Sequence, residues 1–257
     1  MACLSVIVPV FNEALTLTTV LDRIAWAPLE IDRELLVVDD GSTDESLAIA
    51  RAWASEHSDV ASAVLDEPHA GKGAAVRAGI HHSSGNIVII HDADLEYDPA
   101  DHQKCIQPIL SGECHVVYGS REVFSSNRLH SSLLFYAGGL AVTAWMNLLY
   151  GSRLTDEPTC LKTFDGDLIR SLRFEGDGFE WEPEITGKLL RLGFEIREVP
   201  VSYTPRKVGS GKKLNWRDGL RALTEAARWR FRPIDDERLA VDRWRSSRAR
   251  QSPEPAE

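Results

Sequence analysis

The sequence predicts an α/β fold in which a mostly parallel sheet is covered by helices on both faces. Three observations carry this expectation. Short runs of aliphatic and β-branched residues alternate with helical stretches, several runs stop at acidic or glycine-bearing turns, and 257 residues suffice for one substantial core.

The first strand is expected over residues 4–10, closed by Pro9 and Asn12. Residues 14–26 follow as a helix in which Leu15, Leu17, Leu21 and Ile24 give an approximate apolar face. A second strand over 34–38 stops at Asp39-Asp40-Gly41-Ser42-Thr43-Asp44. Ser42 or Thr43 is the expected N-cap of the helix carrying Leu47, Ile49, Ala50 and Trp53, with Glu45 in its first turn. A third strand over 60–65, an Ala-rich helix over 73–82 ending before Gly85, and a strand over 86–90 continue the alternation. Beyond Pro99, a helix near 100–110 and a strand over 114–118 lead into Gly119-Ser120-Arg121.

The rhythm then changes. Residues 131–152 hold no charged side chain, which by length approaches a membrane span. Gly138-Gly139, Thr143 and Asn147 dilute that reading. A helix on a membrane surface or at a subunit contact, a buried core helix and a true span all remain open, as do one helix or two broken at the glycines. Further on, residues 182–192 read as an amphipathic helix closed by Gly193, and 194–201 as a strand of mixed periodicity. Residues 216–231 form a helix with Trp216, Leu220, Leu223, Ala227 and Phe231 on one side, interspersed with Arg217, Arg221, Arg228 and Arg232. Residues 1–232 are expected as a single catalytic domain and 233–257 as a polar tail, disordered from residue 246.

Charge is unevenly placed. The net value is -10, yet the first 120 residues carry 19 acidic against 6 basic side chains, while residues 203–250 carry 6 acidic against 14 basic. The acidic half suits a metal; the basic part suits a phosphate-bearing partner or an anionic membrane. No recognition helix, zinc spacing or aromatic-basic stripe supports nucleic acid. Cys3, Cys105, Cys114 and Cys160 lack C-x-x-C spacing, which argues for a reducing compartment and against structural zinc. A strand begins almost at the amino terminus, so no signal peptide is expected.

The strand Ile87–Ile90 runs into His91-Asp92-Ala93-Asp94-Leu95-Glu96, placing two aspartates at the carboxyl edge of the sheet, where open α/β sheets bind ligands. A divalent cation bridging to a phosphate is a natural partner for such a pair; a solvated loop is the alternative. In Asp39-Asp40-Gly41, a carboxylate suits a ring N–H or a ribose hydroxyl, or else ordinary turn chemistry. His69-Ala70-Gly71-Lys72-Gly73 lacks phosphate-loop spacing, but Lys72 and its glycines could bind or cover a nucleotide. Asp156, in the run 156–162 after the uncharged segment, could act as general base on an acceptor arriving from a membrane, or else lie in a solvent-facing turn. Tyr203-Thr204-Pro205-Arg206 and Gly209-Ser210-Gly211-Lys212-Lys213 set cations on flexible chain, suited to phosphate oxygens or simply solvated.

Taken in order, residues 8–13, the Asp39–Asp44 turn, Gly71-Lys72-Gly73, Asp92-Ala93-Asp94 and Gly119-Ser120-Arg121 resemble the family 2 nucleotide-sugar glycosyltransferases. Asp156 with Thr159 and Cys160, residues 179–184, and Arg206 with Lys212 and Lys213 resemble in particular the dolichol-phosphate mannosyltransferase and polyprenyl-phosphate glycosyltransferase branch. The resemblance covers roughly residues 4–225. It implies an A-type glycosyltransferase fold and a metal-dependent, inverting transfer of a hexose from a nucleotide sugar, GDP-mannose or a UDP-sugar, to a polyprenyl or dolichyl monophosphate. A related enzyme acting on a polysaccharide, protein or soluble acceptor is the alternative, followed by a non-catalytic nucleotide-sugar or membrane-docking module.

The same resemblance implies residue roles. Pro9, Val10, Glu13, Asp39, Asp40, Lys72, Asp92 and Ala93 would surround the nucleotide. Asp92, Asp94 and Glu96 would hold Mg²⁺ or Mn²⁺; Glu96 stands where this branch often has Gln. Asp94, Arg121 and Asp156 would be catalytic, and Arg121, Arg206, Lys212 and Lys213 would meet the acceptor phosphate. Attachment is expected to be peripheral, at the cytoplasmic face of a membrane, with a membrane-protein partner or a second copy as further candidates.

Overall fold

The computed structural model describes residues 2–123, 133–206 and 216–251. Lys212, Lys213 and residues 252–257 lie outside the described residues.

The chain opens as β1 (Cys3–Val10), α1 (Leu17–Trp26), β2 (Asp32–Asp40), α2 (Ser46–Glu56), β3 (Ser62–Glu67), α3 (Lys72–His82) and β4 (Ile87–Ile90). Aliphatic side chains from β1, β2 and β4 are almost wholly buried, Leu4, Val6, Ile7, Val8, Leu35, Val37, Val38 and Val88 among them. Burying one such side chain stabilises by roughly 1.5–3 kcal/mol, so these continuous apolar runs fix the centre of the sheet. The helix after β2 starts at Ser46, later than either expected cap. Asp44 Oδ1 accepts from the Ser46 N–H, while Ser42 Oγ accepts from the Asn12 N–H. Asn12, in the left-handed region at φ 52°, accepts from the Thr43 and Asp44 N–H groups, so the two loops stitch each other and neither serine nor threonine is left to cap.

A short 3-10 turn at Pro99–Asp101 leads into α4 (His102–Leu110) and β5 (Val116–Ser120). Then follow α5 (Leu133–Tyr150), β6 (Lys162–Asp165), α6 (Gly166–Ser171), α7 (Trp181–Arg191), β7 (Arg197–Pro200), α8 (Trp216–Phe231) and α9 (Asp235–Gln251). Strand order across the sheet is β3-β2-β1-β4-β6-β5-β7. β6 runs antiparallel to both neighbours and the remaining pairs are parallel. This is the mostly parallel sheet expected, with one reversed strand that sequence patterning did not reveal.

The structure decides one open alternative and departs from one expectation. Residues 133–150 form one helix despite Gly138-Gly139: two glycines cost about 2 kcal/mol relative to alanine, and burial of Val142, Thr143 and Met146 offsets this. The polar tail is helical through Gln251, where disorder was expected from residue 246. Ile234, Val241 and Trp244 are sparse in sequence but all buried, and Arg248 pairs with Asp165 while Arg245 donates to Leu192 O at 3.0 Å. No helix among the described residues is long and apolar enough to cross a membrane.

Candidate active site

The carboxyl ends of β1, β2 and β4 border a cavity of about 1040 Å³. At the end formed by β1 and β2, Phe11 and His69 stack with ring centroids 4.2 Å apart, both lining the wall. Asp40 is buried there and ties down the next loop, accepting from the Ala70 and Gly71 N–H groups at 2.8 and 3.0 Å and pairing with His69 Nδ1 at 2.9 Å. Gly71, at φ 122°, and Gly73 permit that loop: a Cβ at Gly73 would sit 2.2 Å from Gly176 O. Asp39 lies behind the wall, one oxygen accepting from the Ser42 N–H and Oδ1 buried without a partner. Pro9 and Glu13 line the cavity, whereas Val10 is in the core and does not.

Lys72 is the electrostatic centre of this end. Its ammonium lies 2.9 Å from Asp92 Oδ1 and 3.2 Å from Glu182 Oε1. Burial disfavours both charges, but their attraction wins, holding Lys72 well above and Asp92 below their ordinary pKa values. The Asp92 N–H also donates to Cys160 Sγ at 3.1 Å. Asp94 is different: burial, then the charges of Asp92 and Glu96, push its carboxyl up to about 7, with Arg206 offsetting only part.

Leu95, between Asp94 and Glu96, occupies the left-handed region at φ 61°, costing roughly 1–2 kcal/mol. Glu96 still adds negative charge beside Asp94, but its own oxygens are engaged by the chain at 203–206. It accepts from Tyr203 OH at 2.8 Å and from the Arg206 N–H at 2.9 Å, bracketing residues 203–206. The expected third metal carboxylate is therefore taken by the chain it anchors. Among the described residues no three His, Cys, Asp or Glu side chains group to hold a metal. What fits a divalent cation is Asp94, an under-compensated carboxylate crowded by like charge, next to Asp92; the donor's diphosphate oxygens would complete such a coordination shell.

Farther along the cavity Arg121 and Asp156 lock together. Arg121 Nε donates to Oδ2 at 2.7 Å, Nη2 to Oδ1 at 2.6 Å, and the Arg121 N–H to Oδ2 at 2.9 Å. Both oxygens of Asp156 are thus engaged, which alters its expected part as a free general base. Lys162, fully buried, donates to the carbonyls of Glu157 and Thr159 at 2.7 Å and so shapes the turn presenting Asp156. Arg206 Nη2 lies 2.7 Å from Glu13 Oε2 and 3.8 Å from Asp94 Oδ2, and its Nε donates to Asp94 O.

The cavity continues from this charged cleft to residues 138–143 of α5 and 218–223 of α8, a largely apolar wall. Pro9, Glu13, Asp40, Lys72, Asp92, Ala93, Asp94, Glu96, Arg121, Asp156 and Arg206 all border it. Glu182, Phe11 and Tyr203 join them; the only sequence signal for Glu182 was its place in the run 179–184.

Residues 5–177 match the family model described as glycosyl transferase family 2. The chain belongs to that family. Glycosyl transferase family 2 membership agrees with the A-type glycosyltransferase fold seen here, a Rossmann-like sheet covered by helices. It is 26% identical over 211 residues to the dodecaprenyl-phosphate galacturonate synthase of Rhizobium johnstonii, covering 81% of this chain and 61% of that protein. It is 27% identical over 210 residues to the undecaprenyl-phosphate 4-deoxy-4-formamido-L-arabinose transferase of Sodalis glossinidius, covering 81% and 62%. The chain thus spans about three fifths of the length of both. A glucosyl-3-phosphoglycerate synthase structure from Mycobacterium tuberculosis, in complex with Mn²⁺, uridine diphosphate and phosphoglyceric acid, shares the fold at TM-score 0.68 and 21% identity, covering 90% of this chain and 80% of that one.

Proposed function

We propose that this family 2 enzyme moves a hexose from a nucleoside diphosphate sugar to the phosphate oxygen of a polyprenyl monophosphate. The observation that carries the reading is the continuity of one cavity, from the Asp92–Lys72 cleft past Arg121 to the apolar wall of α5 and α8. A substrate with a phosphate head and a hydrocarbon tail suits that change of lining. The two curated relatives named above, whose names carry polyprenyl phosphates, support the same acceptor class.

The Phe11–His69 pair, with Pro9 and Asp40 beside it on the wall, would receive the base and ribose. Lys72, fixed between Asp92 and Glu182, places a cation near the diphosphate. A bound Mg²⁺ or Mn²⁺, held by Asp94 with Asp92, would supply charge neutralisation for the departing diphosphate. The acceptor phosphate oxygen forms the new bond to the anomeric carbon, and the carbon–oxygen bond to the diphosphate breaks with its electron pair on the nucleotide. That oxygen is already anionic near neutral pH, so no base is required. Asp156 then acts by aiming the Arg121 guanidinium at the incoming phosphate, with Arg206 offsetting repulsion between the two phosphate-bearing substrates. Lys212 and Lys213 belong to the same proposed acceptor contacts, and peripheral attachment to the cytoplasmic face of a membrane to the same reading.

A second reading is a soluble acceptor bearing a phosphate. The phosphoglyceric acid in the Mycobacterium tuberculosis structure favours it, although at 21% identity that likeness carries the fold alone. A transfer assay pairing GDP-mannose, UDP-glucose and UDP-N-acetylhexosamines with polyprenyl phosphate or 3-phosphoglycerate separates the two. Lipid-linked product that depends on metal and on Asp94 is expected; wild-type rate in Asp94→Ala would remove the proposed mechanism, and product on 3-phosphoglycerate alone would transfer support to the soluble acceptor.

A further inference from the structure

We infer that the cavity wall at residues 178–183 selects an uncharged, hydroxyl-bearing hexose over the corresponding uronate, with Glu182 as the discriminating residue; this rests on the proposed placement of the two substrates and names the class of sugar the site takes. The sugar's place follows from the two ends of the reaction. Its anomeric carbon must stand between the diphosphate at Lys72 and the acceptor phosphate at Arg121. Glu182 occupies that interval: Oε1 lies 3.2 Å from Lys72 Nζ, and Oε2 lies 3.9 Å from Nζ of Lys162, the ammonium that shapes the turn presenting Asp156. Gly178, Phe179, Glu180 and Pro183 continue the same stretch of lining, and Lys72 Nζ is 5.6 Å from the centre of the Phe179 ring.

Glu182 is an under-used carboxylate. Its side chain is 9% exposed, yet among the described residues its only hydrogen bond is the one Lys72 donates to Oε1. A carboxylate can accept about four. Lys162 stands too far for a hydrogen bond and spends its protons on the carbonyls of Glu157 and Thr159. The neighbouring acids have other work: Glu180 accepts from the Gly178 N–H at 3.1 Å, and Glu184 accepts from the Glu175 and Gly176 N–H groups. A nearly buried carboxylate with spare lone pairs on a cavity wall calls for hydroxyl donors, and a hexose ring supplies them. Phe179, on the same wall, offers apolar surface to the C–H groups of the ring.

A sugar carboxylate meets acids on that wall. Lys72 is shared between Asp92 and Glu182, and Arg121 is clamped by Asp156. At the start of α7, where N–H groups would otherwise suit an anion, the Glu182 N–H donates to Phe179 O, the Glu184 N–H donates to Glu180 O, and Pro183 has none. Among the described residues, eleven Asp or Glu border the cavity against four Lys or Arg. Two like charges about 6 Å apart at an effective dielectric of about 20 repel enough to weaken binding roughly a hundredfold; with Lys72 offsetting part, at least about tenfold is expected against a uronate.

Calorimetric titration of the full chain with Mn²⁺ and no acceptor tests the inference. UDP-glucose is compared with UDP-glucuronate, and GDP-mannose with GDP-mannuronate, each relative to the free nucleoside diphosphate, so that any change in the hold of Lys72 on the diphosphate cancels. In the wild type the neutral donor of the pair that binds should be favoured at least about tenfold. Glu182→Gln keeps the size and one acceptor oxygen; it should shrink that preference to about threefold or less by improving the uronate, whereas a merely structural loss would weaken every ligand alike. If that variant does not keep the wild-type melting temperature, the wild-type comparison alone decides. A uronate bound as tightly as its neutral counterpart overturns the inference, as does an undiminished preference in folded Glu182→Gln. Neutral-sugar preference with transfer to 3-phosphoglycerate alone sinks the acceptor reading and leaves the sugar selection; equal transfer of glucose and glucuronate to polyprenyl phosphate does the reverse.

Discussion

Asp156 spends both of its carboxylate oxygens on Arg121, at 2.6 and 2.7 Å from the guanidinium nitrogens. A carboxylate so engaged is a good positioning group, because a bidentate pair fixes the plane as well as the place of the guanidinium. Arg121 also lies 5.1 Å from the Tyr203 ring, which limits its remaining freedom.

The first prediction concerns that pair. Asp156→Asn and Arg121→Lys should each lower kcat/KM about a hundredfold, and the double variant should cost little more than the worse single one. A double-mutant cycle on the transfer reaction checks this. Losses that simply multiply would mean the two residues act independently.

Asp94 and Glu96 should separate in metal binding. By calorimetry, Asp94→Asn is expected to weaken Mn²⁺ affinity by about tenfold or more, and Glu96→Gln by only a few-fold, since the Glu96 oxygens already serve Tyr203 and Arg206. Chelation should abolish transfer in the wild type. Equal weakening in both variants would restore Glu96 as a direct ligand.

Arg206 sits between Glu13 and Asp94 where a cation would be attracted. Replacing it with Met should therefore tighten Mn²⁺ binding in the absence of donor, on the order of tenfold, while slowing transfer to the acceptor. Unchanged or weaker metal binding would contradict the competition.

Glu157 supplies a pH dependence. Burial, followed by the charge of Glu182, lifts its carboxyl from 4.5 to about 7 against the opposing pull of Lys162, and one oxygen is buried without a partner. As pH rises from 4.5 to 7 the unfolded chain releases this proton before the folded one does, so stability falls; below that window there is no loss, and above it the loss is complete. The difference is on the order of 3 kcal/mol. Thermal melts should show Glu157→Gln gaining over wild type between pH about 5 and pH about 8, and a gain that does not grow with pH would refute the assignment.

Much of the Asp40–Asp92 side of the cavity was legible in the sequence. The runs ending at Val10, Asp40 and Ile90 and the turns after them are local signals, and they placed the aspartates at one sheet edge before any contact was known. Arg121, Asp156 and Arg206 could be singled out, but not their partners. Lys72 and Glu182 are 110 residues apart, and no periodicity encodes that they share a charge.

The sequence alone determined the strand and helix rhythm, the acidic strand ends and the uncharged helix, because apolar spacing and turn chemistry act over a few residues. Tertiary structure decided the rest. It inserted β6 in reverse between β4 and β5, engaged the Glu96 oxygens with residues 203–206 next to the left-handed Leu95, and tied Asp156 to Arg121 as a clamp. It also ordered α9 through three buried side chains in an otherwise polar stretch. Each of these outcomes is set by groups brought together from distant parts of the chain, where burial strengthens ion pairs and penalises any polar atom left without a partner.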